Sequence, residues 1–167
     1  MRQEKPEIYS RQSGGGSVTV WAAFGYNGAS DIVFIDSRLN AEKYQKLLDS
    51  AMLPCITNIC GPDAIFRQDI APCHAAKSTK LWFKSKKINL MEWPSKSTDL
   101  NPIENLWGIL VRTVYDNHRQ FASIQELKSA IIDAWFNVGP EVHQKLIESM
   151  PNRVYEVISR NGASTHY

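Results

Sequence analysis

Hydrophobic and polar positions fall into short blocks along the chain, each with its own period. Residues 18–24 (VTVWAAF) form a near-continuous apolar run and predict a buried strand. Gly25-Tyr26-Asn27-Gly28 carries turn chemistry, with both glycines able to take positive φ. Residues 31–36 (DIVFID) predict the returning strand of a hairpin. From 41 to 52 the period lengthens. Tyr44, Leu47, Leu48 and Ala51 recur at three and four residues, which predicts a helix that Pro54 ends. Residues 64–69 (AIFRQD) read as a short strand closing on an acid, and Ala71-Pro72 breaks it. Residues 74–87 predict a basic helix that packs through Leu81, Trp82 and Phe83, and 88–93 (INLMEW) predict another strand.

The remainder is helical. Residues 94–102 form a loop, with Asn101 as N-cap and Pro102 at the first helical position, where its missing N–H costs nothing. Ile103, Leu106, Trp107, Leu110 and Val114 supply the buried face of that helix. Ser123 and Glu126 form a capping box for the next, buried through Leu127, Ala130, Ile131, Ala134 and Trp135. Gly139-Pro140 opens a further helix, Pro151 breaks it, and a short helical tail runs to Gly162. The order of hairpin, helix, strand, helix, strand and helices predicts an α/β fold with a mixed sheet. One domain spans 18–167, behind an irregular lead-in over 1–17.

Composition narrows the function classes. A chain of 167 residues is about one domain. Its 43% hydrophobic and 22% charged residues exclude a disordered or collagen-like chain. The longest apolar run is too short to cross a membrane, so no membrane partner is expected. The N-terminus shows no apolar signal core. Cys55, Cys60 and Cys73 are an odd set without zinc spacing and favour free thiols in a reducing compartment. A net charge of +2 is compatible with a nucleic-acid partner and does not establish one.

Two acids carry the candidate chemistry. Asp69 closes a strand, at the rim where α/β sheets build sites; an Asp before a Pro-containing turn also serves simply to cap that turn. Glu104 is the third residue of its helix, where an acid either reaches back in a capping box or favours the helix dipole. Taken together they suggest more. A strand-end acid and a first-turn acid can converge at one sheet edge, where carboxylate oxygens suit Mg²⁺ (or Mn²⁺) and phosphoryl transfer. A third acid is wanted for two ions.

The runs QDIAPCHAAKSTKLWF (residues 68–83) and LMEWPSKSTDLNPIENLWGIL (residues 90–110) resemble the catalytic core of Tc/mariner DNA transposases. Between Asp69 and Glu104 lie 34 residues, the spacing of the Tc branch. Gly14-Gly15-Gly16-Ser17-Val18 to Trp21, Leu39 to Tyr44 and Ser149-Met150-Pro151-Asn152-Arg153 extend the likeness over about residues 14–167. The resemblance implies a ribonuclease-H-like fold and a catalytic triad of two aspartates and a glutamate. Asp69 would be the second acid and Glu104 the third, both metal-binding, with His74 and Asn101 as support. It also implies DNA (transposon ends and target) as partner, a homo-oligomer or a full-length transposase as protein partner, and the nucleus as location.

The chain also departs from the pattern. The family's first acid lies on a strand upstream of the glycine-rich entry, and residues 1–13 hold Glu4 and Glu7 but no Asp. Asp31 and Asp36 do not match that position. The expectation is therefore a truncated catalytic domain whose first, central strand is missing, with strand cleavage impaired. Its sheet either has a gap or pairs residues 18–24 directly with 64–69. A non-catalytic DNA-binding or subunit-interaction protein is the alternative. Ile70, Lys96 and Thr98 are smaller departures. Lys77, Lys80, Lys84, Lys86, Lys87 and Lys96 face only Glu92 over residues 74–96. That stripe, Lys77, Lys80 and Lys84 above all, either follows a DNA backbone or is a solvated helix face. Trp82, Trp107 and Trp135 are expected in the core, and Trp93 as packing or as the site rim.

Overall fold

Strand β1 (Thr19–Trp21) pairs antiparallel with β4 (Val33–Ile35), setting Thr19 opposite Ile35 and Trp21 opposite Val33. The computed structural model describes residues 17–93 and 97–167. The lead-in through residue 16 and positions 94–96, Lys96 included, lie outside the described residues. Side chains alternate across a strand, so β1 feeds two cores. Val20 and the following Ala22 pack with Leu106, Leu110, Leu127, Ile131 and Trp135. Trp21 packs on the other face with Tyr44, Leu48, Met52 and Phe83. Helices thus cover both sides of the strands, as the α/β reading requires.

The predicted hairpin is subdivided. Residues 18–24 do not run as one strand: β2 (Phe24–Gly25) leaves the β1 line and pairs with β3 (Gly28–Ala29) in a second, smaller ladder. The predicted turn glycines divide their work. Gly28 takes φ +154. Gly25 is needed for space, because a Cβ there would lie 2.2 Å from Cys60 Sγ and 2.7 Å from the Ile59 carbonyl oxygen. That close neighbour is helix α2 (Ile56–Cys60), which the apolar pattern does not predict. It is tied to the turn by the Asn27 N–H to the Ile59 carbonyl at 3.0 Å.

Helix α1 (Ala41–Leu47) begins at Asn40, whose side chain accepts the Lys43 N–H at 2.8 Å, and continues into a π-helical turn over Leu48–Met52. Strand β5 (Ile65–Phe66) pairs parallel with β6 (Asn89–Leu90), so both predicted strands shrink to two residues and Asp69 stands beyond its strand. The predicted helix over 74–87 is two helices, α3 (Pro72–Ala75) and α4 (Lys77–Ser85). Ala76 between them takes ψ 139, outside helical range. Phe83 and Trp82 pack from α4 as expected, whereas Leu81 faces solvent, because consecutive helix residues point about 100° apart and three in a row cannot all meet the core. Among the described residues no ladder joins β1 to β5. Direct pairing of residues 18–24 with 64–69 is therefore not seen among the described residues.

Helices α5 (Pro102–Val114) and α6 (Ile124–Phe136) form the larger core, where Trp107 and Trp135 stack at 5.5 Å. Trp135 donates its indole N–H to the Ser30 carbonyl at 2.7 Å and so ties α6 to the hairpin. Ser123 caps α6 as expected, although Glu126 reaches back to the Ala122 N–H rather than to Ser123 itself. Helices α7 (Pro140–Glu148) and α8 (Met150–Ser159) follow. Pro151 stands in the first turn of α8, where its missing N–H is harmless, and so opens the tail helix as well as ending α7.

Arg153 on α8 fixes the loop that precedes α5. It is 1% exposed. Its guanidinium donates to the Asp99 carbonyl at 2.9 Å and to Asn105 Oδ1 at 2.8 Å, and its Nε to Ser149 Oγ at 2.8 Å. Tyr167 covers it, with the guanidinium carbon 4.4 Å from the ring centroid. The C-terminal segment is held there by the Thr165 N–H on Asp99 Oδ2 at 2.7 Å.

Gly25→Ala should lower stability by about 1–3 kcal/mol, since backbone and not only a flexible side chain must yield; a urea midpoint equal to wild type would contradict the close approach. The Thr165 amide holds the Asp99 carboxyl below its ordinary pKa. A depressed pKa stabilises above the unfolded value and is lost as pH falls through the folded one. The Thr165 amide resonance in an NMR titration should therefore move with a midpoint below the ordinary aspartate value, and a midpoint at or above that value would remove the interaction.

Candidate metal and phosphate site

The chain leaves β5 through Arg67 and Gln68 and delivers Asp69 to the surface, its side chain 59% exposed. The turn is closed by the Ala71 N–H, which donates to Asp69 Oδ1 at 3.0 Å. His74 Nδ1 hydrogen-bonds to the same oxygen. Tyr44 flanks His74, ring centroids 4.1 Å apart, and donates its hydroxyl to Gln68 Oε1 at 2.8 Å. Gln68 in turn donates to the His74 carbonyl at 3.2 Å. Burial raises the Tyr44 phenol well above its usual range, so it stays a donor. Asp69 therefore serves as a turn cap and also faces outward with its second oxygen unspent.

Glu104 arrives from the other direction, on the first turn of α5. Asn101 precedes that helix as expected, but its side chain makes no capping bond to the backbone. Its amide instead donates to Glu104 Oε1 at 3.1 Å. The capping-box reading of Glu104 is not realised, because the Asn101 N–H already donates to the Thr98 carbonyl at 2.8 Å. Burial raises the Glu104 pKa, and Asp69 adds to the rise while the Arg67 charge opposes it.

Asp69, Glu104 and Asn101 line one cavity of about 200 Å³ with Arg67, Trp93 and Thr98. Glu104 also lines a second cavity of about 460 Å³ with Asp99, Asn105 and Tyr167. Sequence reasoning thus finds two residues that the fold brings together, and it misses two others. Arg67 sits two positions before Asp69, where strand alternation alone could have suggested the same side of the chain. Arg153 ends a stretch that carries the resemblance, but its clamp on the loop is not legible there, since two of its partners are 48 and 54 residues away. Trp93, expected chiefly as packing, forms part of the wall and donates to the Ser97 carbonyl at 3.4 Å.

The basic stripe lies elsewhere. Lys77, Lys80 and Lys84 are exposed on α4, spaced to share one face, and none of them lines either cavity. Lys86 is taken by Asp49 at 2.6 Å. Cys55, Cys60 and Cys73 are free thiols. No helix among the described residues is long and apolar enough to cross a membrane.

The donor chemistry suits a hard cation. Asp69 and Glu104 each spend one oxygen on protein partners and, among the described residues, keep the other without one. Free carboxylate oxygens at one cavity are the ligands that Mg²⁺ or Mn²⁺ takes. Among the described residues no three His, Cys, Asp or Glu side chains group into a complete metal cage.

The family model described as DDE superfamily endonuclease matches residues 2–128. The transposase of transposable element Tc3 from Caenorhabditis elegans is 40% identical over 166 residues, covering 99% of this chain and 50% of the relative. The Tc1 transposase of the same organism is 34% identical over 154 residues, covering 92% of this chain and 56% of its own. The chain spans about half the length of the curated relatives it matches. A pre-cleavage Mos1 transpososome superposes with a TM-score of 0.82 at 16% identity, over 98% of this chain and 50% of that one. The Mos1 transposase catalytic domain with raltegravir and Mg gives 0.77 at 18%, over 89% and 77%. The fold is therefore that of the Mos1 catalytic domain, and the family match covers most of the sequence: this chain belongs to the DDE superfamily of endonucleases.

Proposed function

We propose that the chain forms the catalytic part of a Tc-type transposase, with Asp69 and Glu104 as the second and third acids of its metal site. The observation that carries this reading is that the two carboxylates, with 34 residues between them in sequence, line one cavity with a free oxygen each. The substrate is DNA, cut at transposon ends and joined to target. The resemblance to the Tc transposases supports that, as do Mos1 structures described as a transpososome and as paired-end complexes with Mg and Mn. A divalent cation bound at the two acids supplies Lewis acidity to a phosphoryl oxygen. The chain's own residues supply orientation. His74 and the Ala71 N–H fix the Asp69 carboxylate through one oxygen, so the other points to one place. The Asn101 amide does the same for Glu104.

Assembly with a second copy or a full-length transposase, and a nuclear location, follow from the same reading, because paired transposon ends in chromosomal DNA need both. Among the described residues, Asp69 and Glu104 are the two carboxylates that line this cavity, a thin ligand set for two ions. A non-catalytic DNA-binding protein is the second reading. It is favoured by the lysine face of α4, which stands apart from the acids.

Asp69→Asn and Glu104→Gln should each weaken Mn²⁺ binding at least about tenfold in titration calorimetry, as removal of one charged oxygen ligand from a small set implies. Unchanged Mn²⁺ affinity in both variants sinks the metal site. The triple change of Lys77, Lys80 and Lys84 to Gln should flatten the salt dependence of duplex binding by about 0.9 log unit for each phosphate those lysines neutralise. A slope equal to wild type means α4 does not lie on the backbone.

A further inference from the structure

Among the described residues lining the cavity, Arg67 is the one charged side chain without a polar partner. It is half-buried, and its guanidinium carbon lies 3.9 Å over the Trp93 ring centroid. Its Nε is buried with no hydrogen-bond partner. Among the described residues it forms no ion pair; burial lowers its pKa to about 10, and the nearby Glu104 and Asp69 charges oppose the fall, so it stays charged at neutral pH. Buried charged donors are ordinarily satisfied, because leaving one unmade forfeits its hydration. Trp93 holds the guanidinium by its face, an arrangement that needs none of the five N–H groups. The side chain is therefore placed and charged, with its donors unspent.

The cavity's charge says what those donors meet. Two carboxylates repel a phosphodiester, and a cation between them offsets only part of that. A planar fork beside them matches two oxygens of one phosphate. A structural counter-ion would instead sit within ion-pair distance of an acid, and Arg67 does not. We propose that Arg67 is a phosphate-binding residue of this site, its guanidinium taking the non-bridging oxygens of the DNA phosphodiester presented to Asp69 and Glu104. This rests on the proposed function, and it adds a hold on the substrate that neither acid can make.

The test uses the full chain, a labelled DNA duplex of about 20 base pairs, longer than one turn of contacts requires, and Mn²⁺ alone as separate probes. Arg67→Gln should weaken duplex binding by about 10–100-fold, the usual cost of a charge-assisted pair. Mn²⁺ affinity should hold or tighten as a positive neighbour leaves, and the melting temperature should stay close to wild type, since no protein hydrogen bond is removed. Arg67→Lys should recover only part of the duplex affinity, because a point charge lacks the fork. Unchanged duplex binding in Arg67→Gln overturns the proposal. So does a parallel fall in Mn²⁺ affinity and melting temperature, which would make Arg67 a brace for the acids. Failure of the metal site shows separately, as Mn²⁺ binding that ignores Asp69→Asn and Glu104→Gln, and it leaves the duplex measurement readable.

Discussion

Two like charges are held at one cavity, and the surrounding structure accommodates that constraint. Burial and the nearby Asp69 charge both raise the cost of ionising Glu104. The fold offsets the cost locally. His74 and a backbone N–H bind one oxygen of Asp69, the Asn101 amide binds one of Glu104, and the Arg67 charge lies alongside. Each device leaves the second oxygen of its carboxylate open. A site built only for stability would have tied up both.

Holding the two acids together falls to elements that never hydrogen-bond to each other as strands. Asp69 hangs from the β5–β6 pair, which packs into the core of Tyr44, Leu48, Met52 and Phe83. Glu104 stands on α5, in the core shared with α6 and the hairpin. Trp21 and its neighbours Val20 and Ala22 project to opposite faces and join the two cores by side-chain packing; among the described residues no ladder does so.

The last helix belongs to the site although it touches neither carboxylate. Arg153 bonds to the carbonyl of Asp99 and the side chain of Asn105, the residue beside Glu104. A buried guanidinium satisfied by a carbonyl, an amide oxygen and a hydroxyl is a demanding clamp, because losing any partner strands a charged donor. The first turn of α5 is fixed from outside its own helix.

Local periodicity determined much of this protein. The apolar spacing of α5 and α6, the Ser123 cap, the proline at the start of α5 and the apolar run that contains β1 were all legible, since each depends on residues within a turn or two of one another. The spacing and neighbours of Asp69 and Glu104 marked them as a pair. What the sequence could not show was how side chains spend their bonds. Asn101 reads as a helix cap and instead orients Glu104, while its backbone N–H is taken by Thr98. Gly25 reads as a turn residue and instead makes room for α2, a helix too short and too weakly periodic to announce itself. Neither Arg67 nor Arg153 shows its partners in the sequence, although Arg153 ends a stretch that carries the resemblance. Only the tertiary structure put one against Trp93 with its donors free and the other against Asp99 and Asn105, because those pairings join residues tens of positions apart, where no local pattern can record them.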